Sequence, residues 1–256
     1  MDLPYDALDV LQTNGVAFID LVSSADPDLM ISACPGWRVS DLANHQAEVW
    51  NFWAHIVADG ITERTALRAI QTPARVDGPE LVDWLAATHN ALFSALVDAP
   101  LDQPAWTWTG ATLDAAWVRR RMALESAMHR HDLATTVRVP YDVPTVVAAD
   151  GIDEFLTYFC GRERREGEMK VGGTVHLHCT DMPEGQQDRG EWYISNVKEP
   201  SCTFTREHRK GDAAVRGPAQ SLWLWLWRRD KRGDDSIEVI GKEEVARRFR
   251  AYTDLD

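Results

Sequence analysis

The chain is short of positive charge, of cysteine and of long apolar runs, and each shortage removes a class of function. Lysine and arginine total 27 against 40 aspartates and glutamates, a net charge of −13, the wrong sign for a general nucleic-acid binder. The four cysteines, Cys34, Cys160, Cys179 and Cys202, show no CxxC spacing, which favours reduced thiols in a cytoplasmic protein over a disulfide framework. The opening MDLPYDALDV has neither a basic start nor an apolar run, so no signal peptide is expected. The most apolar stretch, SLWLWLW at 221–227, is far too short to span a bilayer. G-x-S-x-G, G-x-G-x-x-G and P-loop patterns do not occur, leaving serine-hydrolase and nucleotide-binding readings without support. The expectation is a cytoplasmic chain with small-molecule partners, no nucleic acid and no membrane.

What is there suits a packed protein. Hydrophobic residues are 45 % and charged residues 26 %, the composition of a globular chain able to bury a core. Apolar periodicity predicts helices over 5–25, 41–58, 80–98 and about 112–136, with Ser40 as N-cap of the second and Pro79 opening the third. Gly15 is a weak point of the first. After two prolines in VRVPYDVP the pattern changes. A fifth helix is expected over about 150–165, then alternating strands at 173–181, 191–197, 202–208 and 212–219, a helix at 219–229, a strand at 236–241 and a last helix at 242–252. The predicted fold is α+β in two domains: an antiparallel four-helix bundle over 1–145, and a small α+β domain with an antiparallel sheet over 146–256.

Three polar residues fall on faces that should be buried. On the second helix His45 shares a stripe with Leu42, Val49, Trp53 and Ile56. On the fourth, Glu125 and His129 lie one turn apart beside Leu124 and Met128. An ionised glutamate inside a bundle is costly unless paired, and a divalent cation on His45, Glu125 and His129 would use all three groups. Two imidazoles and a carboxylate suit zinc or another first-row ion and leave a coordination position open. Asp132 is placed to orient an imidazole. On spacing alone, a Glu125–Arg121 pair and a hydrogen-bonded core His45 stand beside this reading. His89, on the Leu85–Leu92–Leu96 side of the third helix, reads first as a core residue, with fourth ligand or base as alternatives. His55 and His131 point away from the proposed faces. The H-x-H of His176 and His178 shares one strand face and reads as a solvated or domain-facing strand, because the strand–helix repeats of a metal-binding barrel are missing.

CPGWRVSDLANHQAEVWNFW at 34–53 and RRRMALESAMHRHDL at 119–133 resemble the mycothiol-dependent maleylpyruvate isomerase family, within the DinB-like metalloenzymes. GIDEFL at 151–156, GTVHLHCTD at 173–181 and AAVRGPAQSLWLWLWRR at 213–229 resemble its C-terminal half, so the likeness runs through nearly the whole chain. It implies a DinB-like bundle with a divalent metal, usually zinc, on His45, Glu125 and His129. It also implies mycothiol as thiol cosubstrate, activated as a metal-bound thiolate for cis–trans isomerisation or S-transfer on a small electrophile. The sequence departs from the family at His131, where tryptophan is common. Arg216, in the AVRGP of the second half, is expected to recognise an anionic group across a cleft between the domains, with a surface arginine on an edge strand as the alternative. Two alternatives keep the metal: a hydrolase using activated water, and a non-enzymatic ligand-binding or regulatory protein. A monomer fits a two-domain chain of this size.

Overall fold

Asp6 starts the first helix by accepting the Leu8 amide on its carboxylate at 2.8 Å, which satisfies one of the free donors of the first turn. The computed structural model describes residues 3–111, 113–160, 171–195, 202–229 and 235–253. The chain divides into two compact units, Met1–Asp142 and Val143–Asp256.

The first unit packs four helices: α1 (Ala7–Ser24), α2 (Val39–Ala58), α3 (Pro79–Asp98) and α4 (Ala115–Val137). α1 packs on α4 and α3, and α2 on α3 and α4. A two-stranded ladder of β1 (Pro104–Ala105) and β2 (Leu113–Asp114) precedes α4, whose N-cap Asp114 accepts the Trp117 amide at 2.9 Å. Pro79 opens α3, where its missing donor would have had no partner. Ser40 is not the N-cap of α2. That helix begins two residues earlier than expected, at Val39 and capped at Arg38, because the Asp41 carboxylate reaches back to accept the Arg38 amide at 2.8 Å. Gly15 makes room rather than weakening α1. A Cβ there would lie 2.2 Å from His89 Nε2, so the missing side chain admits that buried ring.

α4 is the unusual helix. Arg120, Ser126, His129, His131 and Asp132 are all buried along it, although buried polar groups are costly without partners. Part of the demand is met locally, as where Trp50 Nε1 donates to Ser126 Oγ at 3.2 Å.

The second unit holds α5 (Thr145–Tyr158), β3 (Thr174–Cys179), β4 (Glu191–Ser195), β5 (Thr203–Thr205), β6 (Ala213–Gly217), α6 (Ala219–Leu226), β7 (Glu238–Gly241) and α7 (Glu243–Tyr252). The fifth helix thus lies earlier than the expected 150–165; positions 161–170, like 196 and 197 of the expected second strand, lie outside the described residues. The five-stranded sheet has the order β5-β4-β3-β6-β7. It is not the antiparallel sheet expected: β3 and β6 run parallel while the other three ladders are antiparallel. Alternation reveals which residues share a face, but not which strand lies beside which. Here the chain leaves β5 at one edge and returns on the far side of β3. The register sets Glu191, His178, Arg216 and Glu238 in one row across four strands.

Candidate metal centre

The sequence-derived trio is brought together in the first unit. Glu125 Oε1 lies 3.2 Å from His129 Nε2 and 3.6 Å from His45 Nε2, and one ligand atom from each of the three lies within 4.8 Å of the others. The two imidazole rings are 5.2 Å apart, nearly perpendicular. α4 supplies Glu125 and His129 one turn apart, and α2 supplies His45. Glu125 and His129 side chains are almost enclosed, at 13 % and 9 % exposure, while His45 keeps 35 %.

Each member is held by a further residue. The other oxygen of Glu125 accepts from Arg121, whose guanidinium lies 5.7 Å from the centre of the Trp108 ring. Trp108 stacks edge-on with Trp53 and Trp117 at 5.6 and 5.0 Å. The Arg121–Glu125 pair and the imidazole cluster therefore coexist, because they use different carboxylate oxygens. His129 Nδ1 lies 3.1 Å from Asp132 Oδ2, and the Cys34 thiol lies 3.7 Å from the same oxygen. His45 has the Trp37 ring 5.0 Å away.

The electrostatics follow from this packing. Burial pushes the Glu125 carboxyl up, but the Arg121 charge and the hydrogen bonds from His129 and His45 outweigh it and hold the group well below its ordinary range. Burial pushes the His129 imidazole down, and hydrogen bonds to Asp132 and Glu125 outweigh that, raising it to about 9. Opposite charges inside a low-dielectric cluster account for both directions.

Beside His45 a cleft of about 440 Å³ is bordered by Trp37, Asn44, Glu48 and Arg75, within the size range of small-ligand sites. A larger cleft of about 690 Å³, lined among others by Val22, Pro27 and Arg38, contains none of the trio.

The other candidates fall elsewhere. His89 is 1 % exposed with its ring 4.9 Å from Trp50, a core histidine outside the trio. His55 pairs with Asp59 at 2.9 Å on the surface. His131 is buried, 3.4 Å from Thr135 Oγ1. Arg216, in the second unit, lies 3.5 Å from Glu238. His176 is buried and His178 half-buried, and both contact Glu191. Sequence reasoning missed Glu191 because only strand register sets it against that pair.

A helical unit that gathers two imidazoles and a carboxylate, followed in one chain by a mixed-sheet unit, defines an α+β class with a His₂–Glu cluster in its helical layer. Family models fit both units: the mycothiol maleylpyruvate isomerase N-terminal domain matches residues 9–134 and the corresponding C-terminal domain matches 146–248. The chain belongs to the mycothiol maleylpyruvate isomerase family. A crystal structure of the mycothiol-dependent maleylpyruvate isomerase is similar over 91 % of both chains, with a TM-score of 0.61 at 16 % identity. A histidine-to-alanine mutant of such an isomerase is similar over the same shares, with a TM-score of 0.58 at 15 % identity. At these identities the likeness establishes the fold alone. No curated protein matches the sequence. Among the described residues no helix is long and apolar enough to cross a membrane, and all four cysteines are free thiols.

Proposed function

We propose that this protein is a divalent-metal-dependent enzyme of the cytoplasm that uses mycothiol to isomerise a small cis-unsaturated acid of the maleylpyruvate type. The thiol adds to the conjugated double bond, the resulting single bond rotates, and expulsion of the thiol leaves the trans isomer. The reading takes the first unit as a DinB-like four-helix bundle, with His45, Glu125 and His129 as the metal ligands.

One observation carries it: both imidazole Nε2 atoms converge on a single oxygen of a buried carboxylate in a chain of this family. A tetrahedral ion at about 2.0–2.1 Å from each donor would separate donors by about 3.3–3.4 Å. The separations of 3.2 and 3.6 Å bracket that value, so the donor set fits. Zinc is the ion we favour for a His₂Glu set. Bound there, a divalent ion would lower the pKa of a thiol taking its open position.

The chain's own residues set the conditions. Arg121 fixes one oxygen of Glu125 and leaves the other facing the imidazoles. Asp132 holds His129 Nδ1, so that Nε2 is the nitrogen offered. His45, the most exposed of the three, borders the cleft through which small ligands would approach. Arg216 enters as the group that pairs with a substrate carboxylate. Its side chain is 44 % exposed and its contact to the exposed Glu238 is long, so a carboxylate can replace Glu238 at small cost.

The test is turnover of maleylpyruvate by zinc-loaded protein with and without mycothiol. The reading requires cis-to-trans conversion that needs both ion and thiol. Metal-loaded protein that interacts with no low-molecular-weight thiol would overturn it, and thiol-independent hydrolysis would put water in the thiol's place.

A further inference from the structure

The sheet unit contains a second polar cluster that the helical site does not use. Residues i and i+2 of a strand share a face, which sets His176 and His178 together on β3. The ladder pairs His178 directly with Glu191 of β4, so the carboxylate stands on that same face, between the two rings. His176 Nε2 lies 2.5 Å from Glu191 Oε2, and His178 Nδ1 lies 2.6 Å from Oε1. His208, from the segment between β5 and β6, places its Nδ1 3.0 Å from Oε1.

That segment is held on both sides of His208. Arg206 makes two hydrogen bonds to Asp153, at 2.6 and 2.9 Å. Arg209 lies 4.3 Å from the centre of the Tyr193 ring, two residues from Glu191 and on its face. Arg216, the register neighbour of His178 on β6, contacts Glu238, which tempers its repulsion of a cation.

We propose that His176, His178, Glu191 and His208 form a second divalent-cation site, distinct from the one on the helices. One ligand atom from each of the four lies within 4.8 Å of the others. Three neutral imidazoles and a carboxylate form a donor set suited to zinc and its first-row neighbours. Four protein ligands close the coordination shell, which marks a structural site rather than one with an open position. The ion ties the β5–β6 segment to β3 and β4. At about 2.0–2.1 Å from each donor it needs the Glu191–imidazole separations to open by less than about 1 Å. His208, 75 % exposed at its side chain, has room for that adjustment.

The experiment titrates Co²⁺ into the full chain carrying Glu125→Gln and His129→Ala, which removes the helical ligands, and reads visible absorption and metal content. One equivalent per chain with the intense bands of tetrahedral cobalt is expected. Adding His208→Ala, a surface change whose fold is checked by circular dichroism, should weaken binding at least tenfold. Failure to bind Co²⁺ in the first variant, or binding that neither His208→Ala nor His178→Ala alters, would show a hydrogen-bonded hub around Glu191 instead. Either negative result leaves the helical site's own test untouched.

Discussion

His129 Nδ1 lies 3.1 Å from the fully buried carboxylate of Asp132, and this contact decides which ring nitrogen faces Glu125. With Nδ1 donating to Asp132, loss of the other ring proton frees the Nε2 lone pair to enter a coordination sphere. Asp132→Asn keeps the shape and removes the charge. Its metal affinity should fall by roughly 10–100-fold, the range seen when partners of ligating histidines are changed, with the circular dichroism spectrum retained. Unchanged affinity in a chelator competition would show that Asp132 serves packing only.

Metal binding should depend on pH through His129. Without metal its imidazole is raised to about 9, so below that pH a cation must displace a proton. Apparent affinity should rise about tenfold per pH unit from pH 7 toward 9 and then level off. For the metal-free protein the stability effect has the opposite sign. A raised histidine pKa contributes stability that is full below about 6.5, its unfolded value, and lost as pH rises through about 9. Chelator competition and thermal melts across pH 6–10 measure the two, and a flat affinity profile would count against the assignment.

Gly15→Ala should destabilise the helical unit by roughly 1–3 kcal/mol, the usual cost of overpacking a core. The new Cβ would meet the His89 ring at 2.2 Å, and that ring is wedged against Trp50. A lowered melting temperature with unaltered metal content is the expected pattern. A melting temperature equal to wild type would mean that His89 can swing away.

Arg216→Gln should raise KM for a carboxylate substrate on the order of tenfold or more, as expected for losing a charged hydrogen bond, with metal content unchanged. Steady-state kinetics check it; an unchanged KM would leave Arg216 as a surface partner of Glu238.

The helices were legible because their apolar stripes repeat at helical spacing over long stretches, and Pro79 marked the start of α3. His45, Glu125 and His129 could be named from the same spacing. Their meeting on one carboxylate oxygen could not, because the rotation of α2 against α4 is a tertiary property. The roles of Arg121 and Asp132 were half visible, as neighbours one turn away on the same helix. Trp108, which flanks Arg121, was hidden in an irregular loop. In the sheet unit, alternation located β3 and β4 but was silent on direction, so the parallel β3–β6 ladder went unseen. The same silence hid the His176–His178–Glu191–His208 group, whose members are joined only by register and by a connecting segment.

The central claim is that α2 and α4 carry polar residues inward in order to hold a cation. Elemental analysis of wild-type protein beside the Glu125→Ala, His129→Ala double variant, with folding checked by circular dichroism, tests it most directly. The account predicts that the folded variant loses one equivalent of divalent metal per chain relative to wild type. Equal metal content in the two, after reconstitution with excess zinc and removal of free ion, would contradict it and leave the trio as a hydrogen-bonded contact.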